Sequence, residues 1–177
     1  RDNWSFYIMK IDIRDVTHQL DSKNKESYIE ILKGDTLPIL ILEDGVARTN
    51  YYKDTIEVPD DTDAIYLGVS HGNGEYIAQD ISEPNGEWLA KIQDVQSSYA
   101  ILYLSERYKK EVLRLTNQKI DLNLACAKTQ KNFKVVTPHL PFFFQEENKE
   151  MTLIPLKMLA YGAGPLGPGY GQGPIGG

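Results

Sequence analysis

The chain has a single cysteine and no long apolar run. Cys126 stands alone among 177 residues, so an intrachain disulfide and a cysteine-based zinc site are both excluded. Because it falls in an apolar stretch, it is predicted to be a buried small hydrophobic residue rather than a reactive thiol. No run approaches the ~18–20 apolar residues of a membrane-spanning helix, and no signal-peptide pattern is recognisable. These absences favour the cytoplasm, or the virion or host cytoplasm for a viral protein.

Clustered positive charge is also scarce. Lys and Arg number 19 against 25 Asp and Glu, which gives a net charge of −6. Binding to a nucleic-acid backbone needs clustered Lys and Arg, so direct nucleic-acid binding is disfavoured. Hydrophobic residues make up 41% of the chain and charged residues 25%, which is the ordinary composition of a globular domain with its own core.

The composition changes near the C-terminus. Residues 1–160 are predicted to form one α/β domain, whereas residues 161–177 are dominated by glycine and proline and cannot bury a core. We therefore predict a flexible tail, whose few large side chains could dock on another subunit. Arg1 stands where a start methionine is expected, which indicates either a trimmed chain or a fragment that lacks an upstream segment.

The most informative pattern in the sequence is a short apolar run followed directly by two acidic residues. Residues 39–42 (ILIL) are followed at once by Glu43 and Asp44. This is typical of a strand buried on both faces, and ligands bind at the carboxyl ends of such strands in α/β sheets. A second buried strand is predicted over 64–67. A helix over 48–56 would join the two strands into a βαβ unit with carboxylates at its mouth.

The other predicted elements follow from apolar periodicity and turn residues. They are a strand over 4–13, a helix over 27–32, a hairpin or lid over 75–98, a strand over 99–104, helices over 106–116 and 120–129, and a strand over 133–136. The repeated order of strand, helix and strand predicts an α/β fold.

Four separated patches of the sequence follow the pattern of one known family. They are ILILEDGVA with VPDDTDAIYLG, then SSYAILYLSERYKKEVL, then IDLNLA, then FKVVTPHLPFFFQ. In this order they resemble segments of the lipopolysaccharide/procollagen galactosyltransferase family, the first patch being similar to the segment with the family's acidic motif. The resemblance covers roughly residues 37–145.

The resemblance implies a GT-A fold, with a Rossmann-like, mostly parallel sheet and flanking helices. It also implies an enzyme that transfers a sugar from a nucleotide-sugar donor to a hydroxyl acceptor with inversion. In this chemistry Mn²⁺ or Mg²⁺ stabilises the negative charge that develops on the leaving diphosphate.

The resemblance also supplies candidate site residues. These are Glu43, Asp44, Gly68 and Gln145 for the donor, Asp44 and His139 for the metal ion, and Asp121 as the general base or as a carboxylate that binds the acceptor. His71 is a further candidate metal ligand. Gly45 stands where the family has a second acid, which removes one potential ligand for the metal ion.

Two departures from the family pattern leave other interpretations open. Besides Gly45, only about forty residues precede Glu43, fewer than the family has ahead of its acidic motif. A relative that kept the fold and lost the chemistry would serve as a structural or interaction module in a viral or other multi-subunit assembly. A third alternative is an unrelated small α/β domain in which Glu43 and Asp44 are simply a solvated strand end.

Overall fold

The computed structural model describes residues 4–34, 36–69, 75–78 and 89–146, with the backbone alone for 75–78. Within these ranges the strands are β1 (Ile8–Asp12), β2 (Thr17–Gln19), β3 (Ile39–Leu42), β4 (Val46–Arg48), β5 (Thr55–Pro59), β6 (Ala64–Tyr66), β7 (Glu75–Ala78), β8 (Leu89–Gln93), β9 (Ala100–Tyr103), β10 (Val135–Pro138) and β11 (Phe143–Gln145), and the helices are α1 (Ile13–Val16), α2 (Lys25–Gly34), α3 (Glu106–Asn117) and α4 (Leu122–Gln130). The predicted α/β class is confirmed. No helix in these ranges is long and apolar enough to cross a bilayer.

The main sheet is mixed rather than mostly parallel. It has seven strands among the described residues, in the order β2-β3-β9-β6-β10-β8-β7. Of its six pairings only β2 with β3 and β6 with β10 are parallel. The expectation of a mostly parallel sheet is therefore not met. The reason is the position of β9, which lies between β3 and β6 and runs antiparallel to both.

The predicted helix over 48–56 is wrong. That segment contains the end of β4 and the start of β5, which pair with β11 and β1 in two small two-stranded sheets. The β-branched residues Thr55, Ile56 and Val58 favour this extended backbone. Consequently β3 and β6 do not form a βαβ unit. The predicted first strand is also shorter than expected, and β1 pairs with β5 outside the main sheet.

Side-chain caps set the start of the three longer helices. Asn24 Oδ1 accepts a hydrogen bond from Glu26 N at 2.8 Å ahead of α2. Ser105 caps α3 by accepting from Tyr108 N, and Asp121 caps α4 by accepting from Asn123 N. Each cap satisfies a backbone N–H that has no partner inside its helix. The cap of α4 is important below because Asp121 is a predicted site residue.

The sheet separates two apolar cores. Alternate residues of β3 point to opposite faces, so Leu40 and Leu42 belong to one core while Ile39 and Ile41 belong to the other. Helices α2, α3 and α4 cover the second face, and the β1–β5 ribbon with the segment around β11 covers the first. Cys126 lies fully buried on the helical side, as predicted, and burial raises the pKa of its thiol to about 12.

Gly68 lets the C-terminal segment cross the end of β6. The amides of Phe142 and Phe143 both donate to Leu67 O, at 2.8 and 3.1 Å. A Cβ atom on Gly68 would collide with the carbonyl oxygen of Phe143 and lie 2.8 Å from Tyr99 Oη. The missing side chain therefore permits the close approach of two backbone segments, and this crossing leads directly into β11.

Adding a methyl group at Gly68 tests this packing. We expect Gly68→Ala to lower the free energy of unfolding by about 1–3 kcal/mol, because the added atom overpacks a filled contact. Gly34→Ala is the matched control, since a Cβ there has no neighbour within 4 Å and alanine is favoured in a helix by about 0.5–1 kcal/mol. Urea unfolding of both variants measures the difference. Equal stability of the two variants would contradict the proposed role of Gly68.

Candidate functional site

One edge of the main sheet collects several of the predicted site residues. Strands β2, β3, β6 and β10 run in the same direction, because β9 is antiparallel to both β3 and β6. Their carboxyl ends therefore share an edge, where Leu20, Glu43 and His139 directly follow β2, β3 and β10, and Gly68 stands two residues beyond β6. Ser98 joins them there because it precedes the antiparallel β9. This is the edge at which α/β sheets bind ligands.

A cleft of about 210 Å³ opens at this edge beside the end of β3. Its walls come from the segment before α2, the first turn of α4, Ser98 and the end of β11. Three predicted site residues line it, namely Glu43, Asp121 and Gln145. Lys23 lines the same cleft, so its walls carry charges of both signs.

Glu43 is held firmly in a partly desolvated position. Its backbone N–H donates to Tyr99 O at 3.0 Å, and Gln19 Nε2 donates to its carbonyl oxygen at 3.0 Å. Ser98 Oγ lies 2.6 Å from Glu43 Oε2. Burial raises the pKa of the Glu43 carboxyl, and the negative charge of Asp121 adds to this, while the Ser98 hydrogen bond and the charge of Lys23 oppose it. Glu43 therefore holds a proton more readily than an exposed glutamate.

Asp121 faces Glu43 from the start of α4. It is the N-cap of the helix rather than a residue of its first turn, and its Oδ2 accepts from Asn123 N at 3.1 Å. The side chain is exposed. One of its two carboxylate oxygens thus accepts a hydrogen bond from the first turn of α4. Asp121 therefore has a structural role in addition to any chemical one.

Gln145 reaches the cleft through the pairing of β11 with β4. Residue 145 pairs with Val46, and Glu146 N donates to Gly45 O at 3.0 Å. Gly45 turns the chain between β3 and β4 with φ of +81°, a conformation that glycine adopts without strain. The turn between β3 and β4, together with the pairing of β4 with β11, therefore brings Gln145 close to Glu43, about a hundred positions away in sequence.

The remaining predicted residues do not line this cleft. Asp44 is exposed in the turn that follows β3. Gly68 is packed against Phe143 and Tyr99. His139 is half-buried, and burial lowers the pKa of its imidazole. His71 and the predicted tail over 161–177 lie outside the described residues.

The described residues offer limited support for a metal ion. No group of three or more His, Cys, Asp or Glu side chains within them is arranged to hold one. Glu43 and Asp121 contribute carboxylate oxygens of the kind that Mn²⁺ and Mg²⁺ prefer, and Gln145 adds an amide. A divalent ion at this site would therefore need further ligands from water or from a bound molecule.

Nine further residues of the cleft were missed by sequence reasoning, and four of them interact with Glu43 directly or through Ser98. These four are Ser98, Asn123, Lys23 and Tyr28. Ser98 could have been predicted, because it directly precedes the strand predicted over 99–104. If that strand is antiparallel to its neighbours, its start lies beside their carboxyl ends. Asn123 lies two positions after Asp121 in the same helical turn. We find no sequence pattern that would have indicated Lys23 or Tyr28.

Comparison of the chain with protein-family models, curated proteins and solved structures found no match. The resemblance to the galactosyltransferase family therefore rests on the quoted sequence patches. The activity and the metal ion that it implies stay predictions.

Replacing Glu43 tests its desolvation through the pH dependence of stability. Because the pKa of this carboxyl is raised above its ordinary 4.5, the folded chain binds the proton more tightly than the unfolded chain. The stabilisation that comes from protonated Glu43 is complete below pH 4.5, and it is lost as the pH rises through the folded-state pKa. We expect Glu43→Gln, which is neutral throughout, to become more stable relative to wild type as pH rises towards neutrality. Urea unfolding over a pH series measures this, and a difference that stays constant or shrinks contradicts it.

Proposed function

We propose that the protein is a glycosyltransferase-like domain that holds the sugar of a nucleotide-sugar donor in this cleft and transfers it to a hydroxyl acceptor. The observation that carries the proposal is the meeting of Glu43, Asp121 and Gln145 in one cleft. The family resemblance assigned all three to the site, although they lie far apart in sequence. An α/β sheet with its strand ends gathered at the same edge agrees with this assignment, and the GT-A fold is part of the proposal.

The chemistry of the cleft suits a sugar. Carboxylates accept hydrogen bonds from sugar hydroxyls, and the amide of Gln145 can both donate and accept. Lys23 and Lys25 also line the cleft, where their positive charge would favour a phosphate. A ligand with hydroxyl groups at one end and phosphates at the other would match this distribution.

The size of the cleft limits how much of the donor it can enclose. Its volume is about 210 Å³, whereas pockets that enclose drug-sized ligands measure about 300–1,000 Å³. We infer that the sugar enters the cleft, that the diphosphate lies near Lys23 and Lys25, and that the base extends out of the cleft. The donor would then be only partly enclosed by the described residues.

Glu43 is the better candidate for the general base. In the transfer, the acceptor oxygen forms a bond to the anomeric carbon as the bond to the diphosphate breaks, and the hydroxyl proton needs an acceptor. An effective base has a pKa close to the working pH, and burial moves the pKa of Glu43 in that direction. The resemblance assigns this role to Asp121, whose carboxylate also caps α4. We assign Asp121 to orienting the ligand.

A divalent cation, when bound, would supply positive charge to the leaving diphosphate. Asp121 is the carboxylate of the cleft that remains for it if Glu43 is the base, and Gln145 could add an oxygen ligand. The resemblance assigns the ion to Asp44 and His139, which remains a separate prediction.

An inactive interaction module is the second candidate. It is favoured by the exposed position of Asp44, by the positive φ of Gly45 and by the commitment of Asp121 to a helix cap. Each of these features has a structural explanation that needs no catalysis. Donor binding and turnover distinguish the two candidates.

Thermal and urea unfolding with UDP-galactose or UDP-glucose and Mn²⁺ test the proposal. We expect wild type to gain about 2.7 kcal/mol at a donor concentration about 100 times the dissociation constant, and Glu43→Gln and Asp121→Asn to lose most of this gain. Asparagine caps helices as well as aspartate, so Asp121→Asn removes the charge without loss of the cap. Release of UDP in the presence of sugar acceptors reports turnover.

Asp60→Asn is the matched control. Asp60 is an exposed carboxylate beyond the opposite end of β6, so this variant should bind the donor as wild type does. Equal gains in all variants would place binding outside the cleft. Binding without turnover would favour the inactive module, and no gain in wild type would contradict the proposal.

A further inference from the structure

A second groove lies between α2 and the end of α3, on the helical side of the sheet. Three lysines, two glutamates, Ile29 and Thr116 line it. Its volume is about 530 Å³, which falls within the range of about 300–1,000 Å³ that is usual for ligand pockets. The groove is therefore large enough for a small molecule, and its walls offer charges of both signs beside an apolar surface.

The charged side chains of the groove do not neutralise one another. Glu26 and Glu30 are exposed one turn apart on α2, an arrangement in which like charges repel. Lys33 and Lys119 are exposed as well. Within the described part of the chain, none of these four side chains forms an ion pair. Their charge and hydrogen-bonding capacity is thus available to a ligand.

Lys119 holds a backbone conformation that glycine usually provides. At the end of α3 its N–H donates to Thr116 O at 3.0 Å, and Ile120 N donates to Leu115 O at 3.3 Å. This pair of hydrogen bonds is the Schellman motif, whose left-handed residue is most often glycine. Lys119 occupies that position with φ of +65°, at a cost in stability that glycine would avoid. The ammonium group is therefore placed on the wall of the groove against the local backbone preference.

Lys25 connects the groove with the cleft at the sheet edge. It lines both, and its Nζ donates to Ile120 O at 3.2 Å. The residues on either side of this carbonyl group face different hollows, because Lys119 lines the groove and Asp121 lines the cleft. The two hollows are neighbours, so a ligand that is too large for the cleft can extend past Lys25 into the groove.

We propose that this groove binds a sugar ring that carries a phosphate group. The carboxylates of Glu26 and Glu30 accept hydrogen bonds from neighbouring ring hydroxyls. The ammonium groups of Lys33 and Lys119 attract the phosphate, and Ile29 offers an apolar contact to the ring or to an attached base. A bare anion would be repelled by the glutamates, and a neutral sugar would leave the lysines unused. A ligand with both groups matches the walls best.

Two sources supply this chemistry, namely the ribose phosphate of a nucleotide and a free sugar phosphate. In the first case the groove holds the nucleoside end of the donor, with the diphosphate beside Lys25, and this role rests on the proposed function. In the second case the groove is a separate binding site, which does not depend on what the cleft holds.

Backbone amide NMR titrations of the full chain with UMP, glucose 6-phosphate, inorganic phosphate and glucose test the proposal. We expect UMP or glucose 6-phosphate to shift the amides of Glu26, Glu30 and Lys119, and to bind more tightly than inorganic phosphate or glucose. Tighter binding of UMP assigns the groove to a nucleotide, and tighter binding of glucose 6-phosphate assigns it to a separate sugar phosphate. Equally tight binding of inorganic phosphate, or no shifts at these residues, overturns the proposal.

Replacing Lys119 separates binding from folding. Glycine adopts the left-handed conformation without strain, so Lys119→Gly should melt at the same temperature as wild type or higher. Loss of one exposed charge pair should weaken binding of the phosphate-bearing probe by roughly two- to fivefold, and Lys33→Gln should do the same. Lys10→Gln, at an exposed lysine of β1, is the matched control and should bind as wild type does. Unchanged affinity in both groove variants overturns the proposal.

Failure of this proposal and failure of the proposed function give different results. Binding of a sugar phosphate in the groove, with no response of Glu43 and Gln145 to UDP-galactose, would keep the groove site and remove the transferase assignment. A response of the cleft to UDP-galactose, with no probe binding in the groove, would do the reverse.

Discussion

The antiparallel pairing of β9 with β3 is the constraint on which the candidate site depends. Leu42 pairs with Ala100, and the next amide along, that of Glu43, donates to Tyr99 O. This register sets Ser98 beside the Glu43 carboxylate. A slip of one residue between β9 and β3 would therefore carry Ser98 away from Glu43. Burial disfavours the ionised Glu43 carboxylate, and the hydrogen bond from Ser98, which this register makes possible, offsets part of that cost.

Beneath the cleft, two pairs of tyrosine hydroxyls are hydrogen-bonded inside the core. Tyr28 lines the cleft and shares a hydrogen bond of 2.8 Å with Tyr103, while Tyr66 and Tyr108 share one of 2.7 Å. Thr129 Oγ1 donates to Tyr108 Oη at 2.8 Å. These hydroxyls lie in the core between the sheet and the helices; they join α2 to β9 and α3 to β6, and Thr129 joins α4 to α3. A rigid base of this kind keeps the side chains of a site in fixed geometry.

Local sequence signals predicted the elements that depend on few distant contacts. The run ILIL gave β3 with its observed bounds, and the apolar periodicity gave α3 and α4 to within two residues of theirs. The helix over 48–56 failed because the pairing of its segment with β1 and β11 outweighs local propensity. The position of β9 between β3 and β6 depends on contacts between residues far apart in sequence, and local sequence patterns do not predict such contacts. Glu43 could be predicted because it directly follows a buried strand, where ligands bind in α/β sheets. Asn123 and Lys23 could not, because they reach the cleft only through contacts between distant parts of the chain.

Mapping a bound donor onto the chain tests the central claim most directly, namely that this sheet edge holds a nucleotide-sugar. Backbone amide NMR spectra recorded during a titration with UDP-galactose and Mg²⁺ would locate the ligand residue by residue. The account predicts that the largest shifts fall on Glu43, Ser98, Asn123 and Gln145. Shifts that leave these four residues unchanged and concentrate elsewhere, or no shifts at all, would contradict it.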